Sequence, residues 1–431
     1  MSEANTRAPS SKEELPEHDS SPSHAFFPGW TMLGFAAAAQ FMSAPGQSFS
    51  VAAFKEPMRD GLGASETQFS LAYGVATIAS GLALPFIGRM VDRLGARLLL
   101  PAIALLLGAA CVYMSTVETL IGLYIAFLLI RPLGQGALTL VGTWLVGEWF
   151  ERRRGFATAI SGMGGSLSVM MIPLLNGWLI TDYDWRTAWF VLGVLVWASL
   201  VLPGWIFIRD RPEDLGLQPD GLDRHDPRMK KANHSDSWHV SEVIRDPTFW
   251  KLLAVPATSG MVGTGLIFHQ VSLLGSRGVE PAWALGLISF QAIVATLAVL
   301  GAGWLTDHYS NRHLLAAAML MLATATGLVL FLPRPEFAIF YSALLGLHGA
   351  IMRSTGTVVW LNYYGRANQG AVRGVAFAVM ILAAAIGPLP FALVIDSVNS
   401  YDPALIAFAI VPLLAAALVM SARPPRVAAT Q

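Results

Sequence analysis

The sequence has little charge and almost no cysteine. Lys, Arg, Asp and Glu make up 13% of its 431 residues, whereas soluble domains average about 25%. The net charge is zero, so we expect neither nucleic acid nor an anionic surface as a partner. The single cysteine, Cys111, cannot form an internal disulfide and is expected to be a small buried residue. These absences argue against soluble, nucleic-acid-binding and disulfide-stabilised classes.

The sequence also lacks the motifs of common enzymes. It contains no phosphate-binding loop ending in Gly-Lys-Ser/Thr, no cluster of metal ligands, and no Ser, His and Asp set in a plausible context. We therefore expect no enzyme, no cofactor and no bound metal. Because there is no ATP-binding motif, any work that the protein does must draw on a gradient.

Long hydrophobic runs are what the sequence does have, since 54% of its residues are hydrophobic. A run of about 20 apolar residues is long enough to cross a bilayer as a helix. Twelve runs qualify, and they lie near 27–54, 67–87, 98–114, 120–147, 156–180, 187–208, 249–274, 283–305, 314–332, 337–362, 374–395 and 404–421. The sequence predicts an all-α membrane protein with twelve transmembrane helices.

One long polar connection divides the runs six and six. It is the linker 209–248, which separates an N half (27–208) from a C half (249–421). Each half is expected to form a six-helix bundle. Residues 1–26 are rich in Ser, Pro and Glu and lack the basic-then-apolar pattern of a signal peptide, so they are expected to be a disordered cytoplasmic tail. Residues 422–431 are expected to be a second cytoplasmic tail.

The distribution of Lys and Arg predicts the orientation in the membrane. Cytoplasmic loops carry an excess of these residues. With the N-terminus inside, five of the 28 lie outside and two lie within spans, which leaves 21 on the cytoplasmic side. The five are Lys55, Arg59, Arg186, Arg277 and Arg334, and the two are Arg131 and Arg353. We expect both termini to be cytoplasmic, in the plasma membrane of a bacterium.

The two halves repeat at a constant offset of 215 residues. The segment Gly88–Arg97 (GRMVDRLGAR) recurs as Gly303–Arg312 (GWLTDHYSNR). The same offset pairs Gly134 with Gly349, Gly155 with Gly370 and Pro173 with Pro388. A duplicated six-helix unit explains the offset, and such duplications are typical of transporters.

Polar side chains are concentrated in spans 1, 4, 7 and 10. Spans 3, 6, 9 and 12 hold no internal charge, His, Asn or Gln, so they are expected to face lipid, whereas the first four should line a cavity. In span 1 the polar residues recur on one helical face, and in span 4 they are four residues apart. The candidate substrate-binding residues are Gln40, Gln47, Arg131, Gln135, His269, His348 and Arg353.

The two arginines within spans have no acidic partner in the middle of any span. An arginine in the bilayer cannot lose its proton and is costly there, so the missing counter-charge is expected to be the ligand. Other roles stay open: Arg131 could bond to backbone carbonyls, and Arg353 could serve packing or a gate. His269 and His348 could be neutral and fully bonded, and the glutamines could bond between helices.

Twelve spans, a duplicated half and the motif G-x-x-x-D-R-x-G-x-R at Gly88–Arg97 resemble the major facilitator superfamily over residues 27–421. Two segments resemble its oxalate/formate antiporter and monocarboxylate porter branch. They are Trp149–Leu175 (WFERRRGFATAISGMGGSLSVMMIPLL) and Arg209–Gly221 (RDRPEDLGLQPDG). The resemblance implies two pseudo-symmetric six-helix bundles around a central cavity, with alternating access.

The resemblance also implies roles for the loop motif. Gly88 and Gly95 would allow close helix approach, and Asp92 would lie at a helix N-terminus of the other bundle. Arg93 and Arg97 would hold ion pairs that break on opening. In the repeated loop the corresponding candidates are Asp307 and Arg312. In that branch, the cations that bind the substrate lie in spans 8 and 11. Neither span carries a cation in this sequence, so the substrate of the branch cannot be assigned to this protein by resemblance.

The sequence thus predicts a secondary transporter of a small organic anion, which we expect to be a carboxylate and to be carried by a monomer. A proton, if one moves too, would ride on the substrate or on a histidine. The alternative is a gradient-driven exporter of drugs or other amphiphiles. A membrane sensor that has kept the fold but lost transport is a third reading.

Overall fold

The computed structural model describes residues 27–150, 153–221, 240–332, 334–364 and 369–423. Its membrane helices are numbered α1 to α12 in chain order. The predicted tail 1–26, residues 424–431 of the predicted C-terminal tail, and the centre of the linker, 222–239, lie outside the described residues.

The described chain is helical throughout and contains no strand. In the N half the helices are α1a (Gly29–Met42), α1b (Ser48–Leu62), α2 (Glu66–Leu94), α3 (Ala96–Ser115), α4 (Leu120–Trp149), α5 (Arg154–Asp182) and α6 (Trp185–Phe207). In the C half they are α7 (Pro247–Gly275), α8 (Pro281–His308), α9 (Asn311–Leu330), α10 (Ala338–Tyr364), α11 (Gln369–Ile386 and Pro388–Val398) and α12 (Asp402–Met420).

Eleven helices in the described residues, α2 to α12, are long and apolar enough to cross a membrane. The first predicted span differs, because a 3₁₀ turn at Ala44–Gly46 divides it into α1a and α1b. Pro45 lies in this turn and has no N–H to continue an α-helical ladder. The all-helical fold that the sequence predicts is confirmed, with a break in α1 that the hydrophobic pattern alone does not reveal.

The break in α1 lies against an irregular turn of α4. Residues Pro132–Leu138 of α4 form a π-helical stretch. A Cβ atom added at Gly134 would lie 2.8 Å from the backbone nitrogen of Gly46 and 2.9 Å from its Cα. The two backbones therefore touch at this crossing, and only glycine fits on either side.

The two ends of the helical bundle are distinguished by the linker. We call the end at which α6 ends and α7 begins the linker end, and the opposite end the far end. Buried apolar residues form one large cluster within the N half, joined by Phe268 of α7, and another within the C half. A small cluster of Ala52, Ala53, Leu285 and Ile288 joins the halves.

Direct contacts between the halves seal the far end. The side chain of Asp396 in α11 accepts a hydrogen bond from the backbone N–H of Thr67 at 2.8 Å. A Cβ added at Gly74 of α2 would lie 2.9 Å from the carbonyl oxygen of Ala385. Phe268 packs on Tyr73 with ring centroids 4.5 Å apart. All these residues lie in the far half of their helices.

Candidate solute-binding site

A cavity of about 380 Å³ lies between the two halves, in the size range of small-molecule sites. Its described lining comes from α1, α5, α7, α8 and α10, so three of the four spans expected to line a cavity contribute, and α4 does not. The lining residues are Phe49, Gly162, Gly165, Ser166, Val169, Ile267, Ile288, Gln291, Ala292, Ala295, Leu345, Gly349 and Arg353. The walls are mainly apolar, with few polar groups.

Arg353 of α10 is the charged residue in this lining. Its side chain is exposed, and it makes no hydrogen bond or ion pair with any residue that the structure describes. Gln291 of α8 lines the same cavity, and its side-chain oxygen is buried without a hydrogen-bond partner. A guanidinium group with free N–H donors can bind a carboxylate through two parallel hydrogen bonds.

Arg131 of α4 lies in a different environment, since its side chain is completely buried. Its Nη1 donates a short hydrogen bond to the carbonyl oxygen of Gly46, where α1 is broken. Its Nε and Nη2 donate to Oγ1 of Thr77 at 3.0 and 2.8 Å, and its guanidinium lies 4.2 Å from the ring centre of Tyr73. Protein groups therefore surround Arg131, and no solute reaches it in this conformation.

The three candidate glutamines of the N half lie outside the described cavity lining, and two of them bond within that half. Gln40 donates to the carbonyl oxygen of Thr139 at 3.4 Å and to Oγ1 of Thr143 at 3.3 Å. Gln47 donates to Oγ of Ser43 at 3.2 Å. Gln135 has a buried side-chain oxygen with no hydrogen-bond partner. None of the three is among the described residues that line the cavity.

The two candidate histidines are buried and bonded on both ring nitrogens. His348 lies within the C half, with Nε2 2.9 Å from Oγ of Ser259 and Nδ1 2.9 Å from the carbonyl oxygen of Ala318. His269 lies at the far end, with Nδ1 2.9 Å from Nζ of Lys55 and Nε2 3.0 Å from the carbonyl oxygen of Pro388. Neither lines the described cavity.

The sequence analysis did not find a buried ionic cluster at the far end. It placed Lys55 in the loop after the first span, but α1b continues to Leu62 and buries Lys55 to 1% exposure. Lys55 Nζ donates to Glu66, His269 and Ser272 at 3.1, 2.9 and 2.6 Å. The signal available was Gly63, which ends α1b in the left-handed conformation and marks a later helix end.

The loop motif after α2 makes contacts within the N half. Asp92 accepts a hydrogen bond from Trp144 Nε1 at 3.0 Å, which is a contact within the N half. A Cβ added at Gly88 would meet nothing within 4 Å, and hence no close helix approach occurs there. Arg93 and Arg97 are exposed and make no ion pair with a described residue.

Position 95 requires a glycine. Its φ is +76°, and a Cβ would lie 2.3 Å from the carboxyl group of Asp210. That carboxyl accepts a hydrogen bond from the backbone N–H of Arg97 at 2.7 Å and so caps α3. In the repeated loop, Arg312 lines a polar pocket near Tyr363 and Arg423, whereas the side chain of Asp307 lies outside the described part of the chain.

The sequence was compared with known proteins. It is 26% identical over 274 residues to the membrane sensor protein UhpC of Salmonella typhimurium, and this alignment covers 59% of this chain and 58% of that protein. It is 24% identical over 220 residues to the hexuronate transporter of Escherichia coli K12, covering 48% and 50%. Mouse monocarboxylate transporter 14 is 29% identical over 126 residues, covering 29% and 24%. The chain thus spans between a quarter and three fifths of the length of these relatives.

Solved structures share the fold at low identity. A bacterial homolog of the human lysosomal transporter Spinster, crystallised in an inward-facing and occupied conformation, has a TM-score of 0.72 and 16% identity over 92% of this chain and 97% of that one. A peptide transporter POT has a TM-score of 0.69 and 16% identity over 93% and 95%. The family model for the Major Facilitator Superfamily matches residues 36–301. The chain is therefore a multi-pass membrane protein that belongs to the major facilitator superfamily.

Proposed function

We propose that this protein is a secondary active transporter that moves a small organic anion by alternating access, with Arg353 as the anion-binding residue. The observation that carries the proposal is an arginine, in a cavity between the two halves, that has no partner among the described residues. A cation at such a position is costly unless something neutralises it. An anionic solute would supply the missing charge.

The cavity favours a carboxylate with an apolar body. Arg353 can donate two parallel hydrogen bonds to a carboxylate, Gln291 carries an NH₂ donor in the same lining, and the remaining described walls are largely apolar. A pocket of this kind binds the polar head through a few fixed groups and the body through apolar contact. This supports the substrate class that the sequence predicts, but with Arg353 rather than Arg131 as the main residue that binds the anion.

Arg131 then has a positioning role. Its hydrogen bond to Gly46 satisfies a carbonyl group where the α1 ladder is interrupted, and its bonds to Thr77 join α4 to α2. We propose that it fixes the break in α1, and that Gln40 and Gln47 pack beside this break. His269 and His348 are assigned no contact with the solute.

We also propose that the linker end is cytoplasmic, because the Lys and Arg asymmetry favours it. The seal between the halves at the far end would then make this an inward-facing conformation. In that conformation Asp92 bonds within the N half, and Arg93 and Arg97 make no ion pair with a described residue. We propose that all three contact the other half only when the linker end closes.

Binding and flux measurements test the proposal. The purified protein is screened in detergent by thermal shift against monocarboxylates, dicarboxylates, sugars and cationic drugs, and the best ligand is then followed into proteoliposomes. A ligand at a hundred times its Kd stabilises by about 2.7 kcal/mol. We expect carboxylates to stabilise the wild type, Arg353→Gln to lose this stabilisation and uptake, and the exposed-loop control Arg334→Gln to keep both.

The decisive comparison is between Arg353, which is exposed in the cavity, and Arg131, which is buried. If Arg353→Gln binds and transports the ligand normally while Arg131→Gln folds but does not bind it, the assignment of Arg353 is refuted. If neither charge matters and only neutral or cationic amphiphiles stabilise the protein, the exporter reading replaces that of an anion transporter.

Two further readings have specific support. The largely apolar cavity walls suit an exporter of amphiphiles, and sensitivity of a deletion strain to apolar toxins would favour it. The similarity to a protein named as a membrane sensor keeps a sensing role in view. Flux of any solute in proteoliposomes would eliminate a sensor without transport.

A further inference from the structure

The buried ionic cluster at the far end connects the two halves, with Lys55 bonded to both His269 and Ser272 of α7. Lys55 and Glu66 belong to the N half, whereas His269 and Ser272 belong to α7 of the C half. Lys55, Glu66 and His269 are 1%, 3% and 0% exposed. Any motion that opens the far end must separate Lys55 from His269, because these residues lie on opposite sides of the interface.

The hydrogen bonds define the protonation state of His269 in the closed form. An ammonium group can only donate, so Lys55 Nζ donates to Nδ1 of His269. Nε2 must then carry the hydrogen, which it donates to the carbonyl oxygen of Pro388. Both ring nitrogens are occupied, and the closed form therefore requires a neutral imidazole with its hydrogen on Nε2.

A second proton would not fit in the closed form. It would convert Nδ1 from an acceptor into a donor aimed at another donor, 2.9 Å from the Lys55 ammonium. Two positive groups at that distance in a buried site repel strongly. The proton can bind only after α7 has moved away from Lys55, when Nδ1 is free.

The surrounding charges do not remove this conflict. Glu66 Oε2 lies 3.8 Å from Nδ1 and accepts no hydrogen bond from the described residues, but it is already 3.1 Å from Nζ of Lys55, and Oε1 of the same carboxylate is bonded to Lys55 and, at 2.6 Å, to Arg59. Two cations and two carboxylates of the cluster balance, so an added proton leaves a net positive charge. The charged and titratable groups that face the site are Lys55, Glu56 and Arg59 of α1, Glu66 of α2, and Tyr401 before α12, while Asp396 of α11 is bonded to Thr67.

We propose that His269 is a proton-binding residue, and that a proton on its Nδ1 holds the far end of the protein open. Deprotonation lets Lys55 return to Nδ1 and reseal the interface. The far end thus closes in neutral solution and opens more readily in acid. This inference rests on the proposed transport cycle only in requiring that the far end opens.

The expected size follows from an ordinary imidazole, which binds a proton with a pKa near 6.5 when it has no partner. If the open form binds this proton and the closed form does not, lowering the pH from 7.5 to 5.5 raises the ratio of open to closed molecules about tenfold. The shift should be centred on the pH at which the open form titrates.

Distance measurements on the full-length protein test this without any substrate. Cys111→Ala removes the buried native thiol, and spin labels are attached at Glu118→Cys and Glu336→Cys, which are exposed far-end positions in opposite halves. We expect a longer label-to-label distance to gain population in lipid nanodiscs as the pH falls. The matched control His308→Gln, an exposed histidine at the linker end, should keep this response.

Two variants of the cluster decide the outcome. His269→Gln can accept from Lys55 and donate to Pro388 but cannot titrate, so it should stay closed at both pH values. Lys55→Met removes the repelling charge and should also reduce the response, independently of whether His269→Gln folds. A wild type with no pH response, or a full response in either variant, overturns the proposal. Because no solute is present, this result is separate from the assignment of Arg353.

Discussion

The crossing of α1 and α4 allows a prediction with an internal control. Gly134→Ala would place a methyl group 2.8 to 3.0 Å from three backbone atoms of α1, namely the nitrogen and Cα of Gly46 and the carbonyl oxygen of Ser43. Ordinary contact begins near 3.4 Å, so the two helices must separate by about 0.4 to 0.6 Å in a close-packed interior. Backbone atoms cannot rotate away as a side chain can.

The control is Gly349→Ala, at the position 215 residues later in the repeat. A Cβ there meets nothing within 4 Å. Both substitutions gain the same helix propensity, up to about 1 kcal/mol, so the difference between them isolates the contact. Overpacking typically costs about 1 to 3 kcal/mol, and Gly134→Ala also strains the bond between Arg131 and Gly46.

Thermal unfolding of the purified variants in detergent measures the difference. The N half has roughly the size at which each kcal/mol corresponds to about 2 to 4 °C. We expect Gly134→Ala to melt several degrees below Gly349→Ala, which should melt at or above the wild type. Equal melting temperatures for the two variants would refute the close backbone contact at Gly134, and with it our account of the α1 break.

Two further predictions concern helix starts. Asp184 accepts a hydrogen bond from the backbone N–H of Thr187, which holds the pKa of Asp184 below its ordinary value. Such a cap stabilises the folded protein by about 1 kcal/mol. Because the pKa is lowered, this stabilisation is complete above the ordinary pKa and is lost as the pH falls through the lower folded value. Melting from pH 6 to pH 3 should show this loss in the wild type and not in Asp184→Asn, and an unchanged acid response would contradict it. At the start of α3, Asp210→Ala should lower stability by about 1 kcal/mol, and Gly95→Ala should cost more because it combines a positive φ with a clash against Asp210; a smaller loss for Gly95→Ala would contradict this order.

The helical architecture could be predicted from the sequence, because membrane helices need about 20 apolar residues and their loops are polar. That pattern predicts where α2 to α12 lie. It did not predict the break in α1, because a 3₁₀ turn in an apolar run leaves the hydropathy unchanged. Pro45 followed by Gly46 was the local signal, and its meaning depends on the π-helical stretch that α4 presents at the same level.

The candidate site was less predictable, because polarity along a span does not say which way a side chain faces. Arg353 lies in the described cavity, whereas Arg131, His269 and His348 are bonded elsewhere. The helices α5 and α8 line the cavity largely through small and aliphatic residues, which carry no signal in a search for polar groups. The burial of Lys55 was hidden for a related reason, since two of its partners, His269 and Ser272, lie in α7, more than 200 residues away in sequence.

The contrast between the two arginines within spans follows from what each helix must satisfy. Interrupting α1 frees backbone carbonyl groups at buried residues, where an unbonded polar group is costly. An arginine on a neighbouring helix can reach such a carbonyl while it bonds to Thr77 and lies over the ring of Tyr73. The charge of Arg131 is thus distributed over groups that the fold supplies. Arg353 has no such partner in the part of the chain that the structure describes, and its position on the cavity surface is what makes the cavity selective for an anion in our proposal.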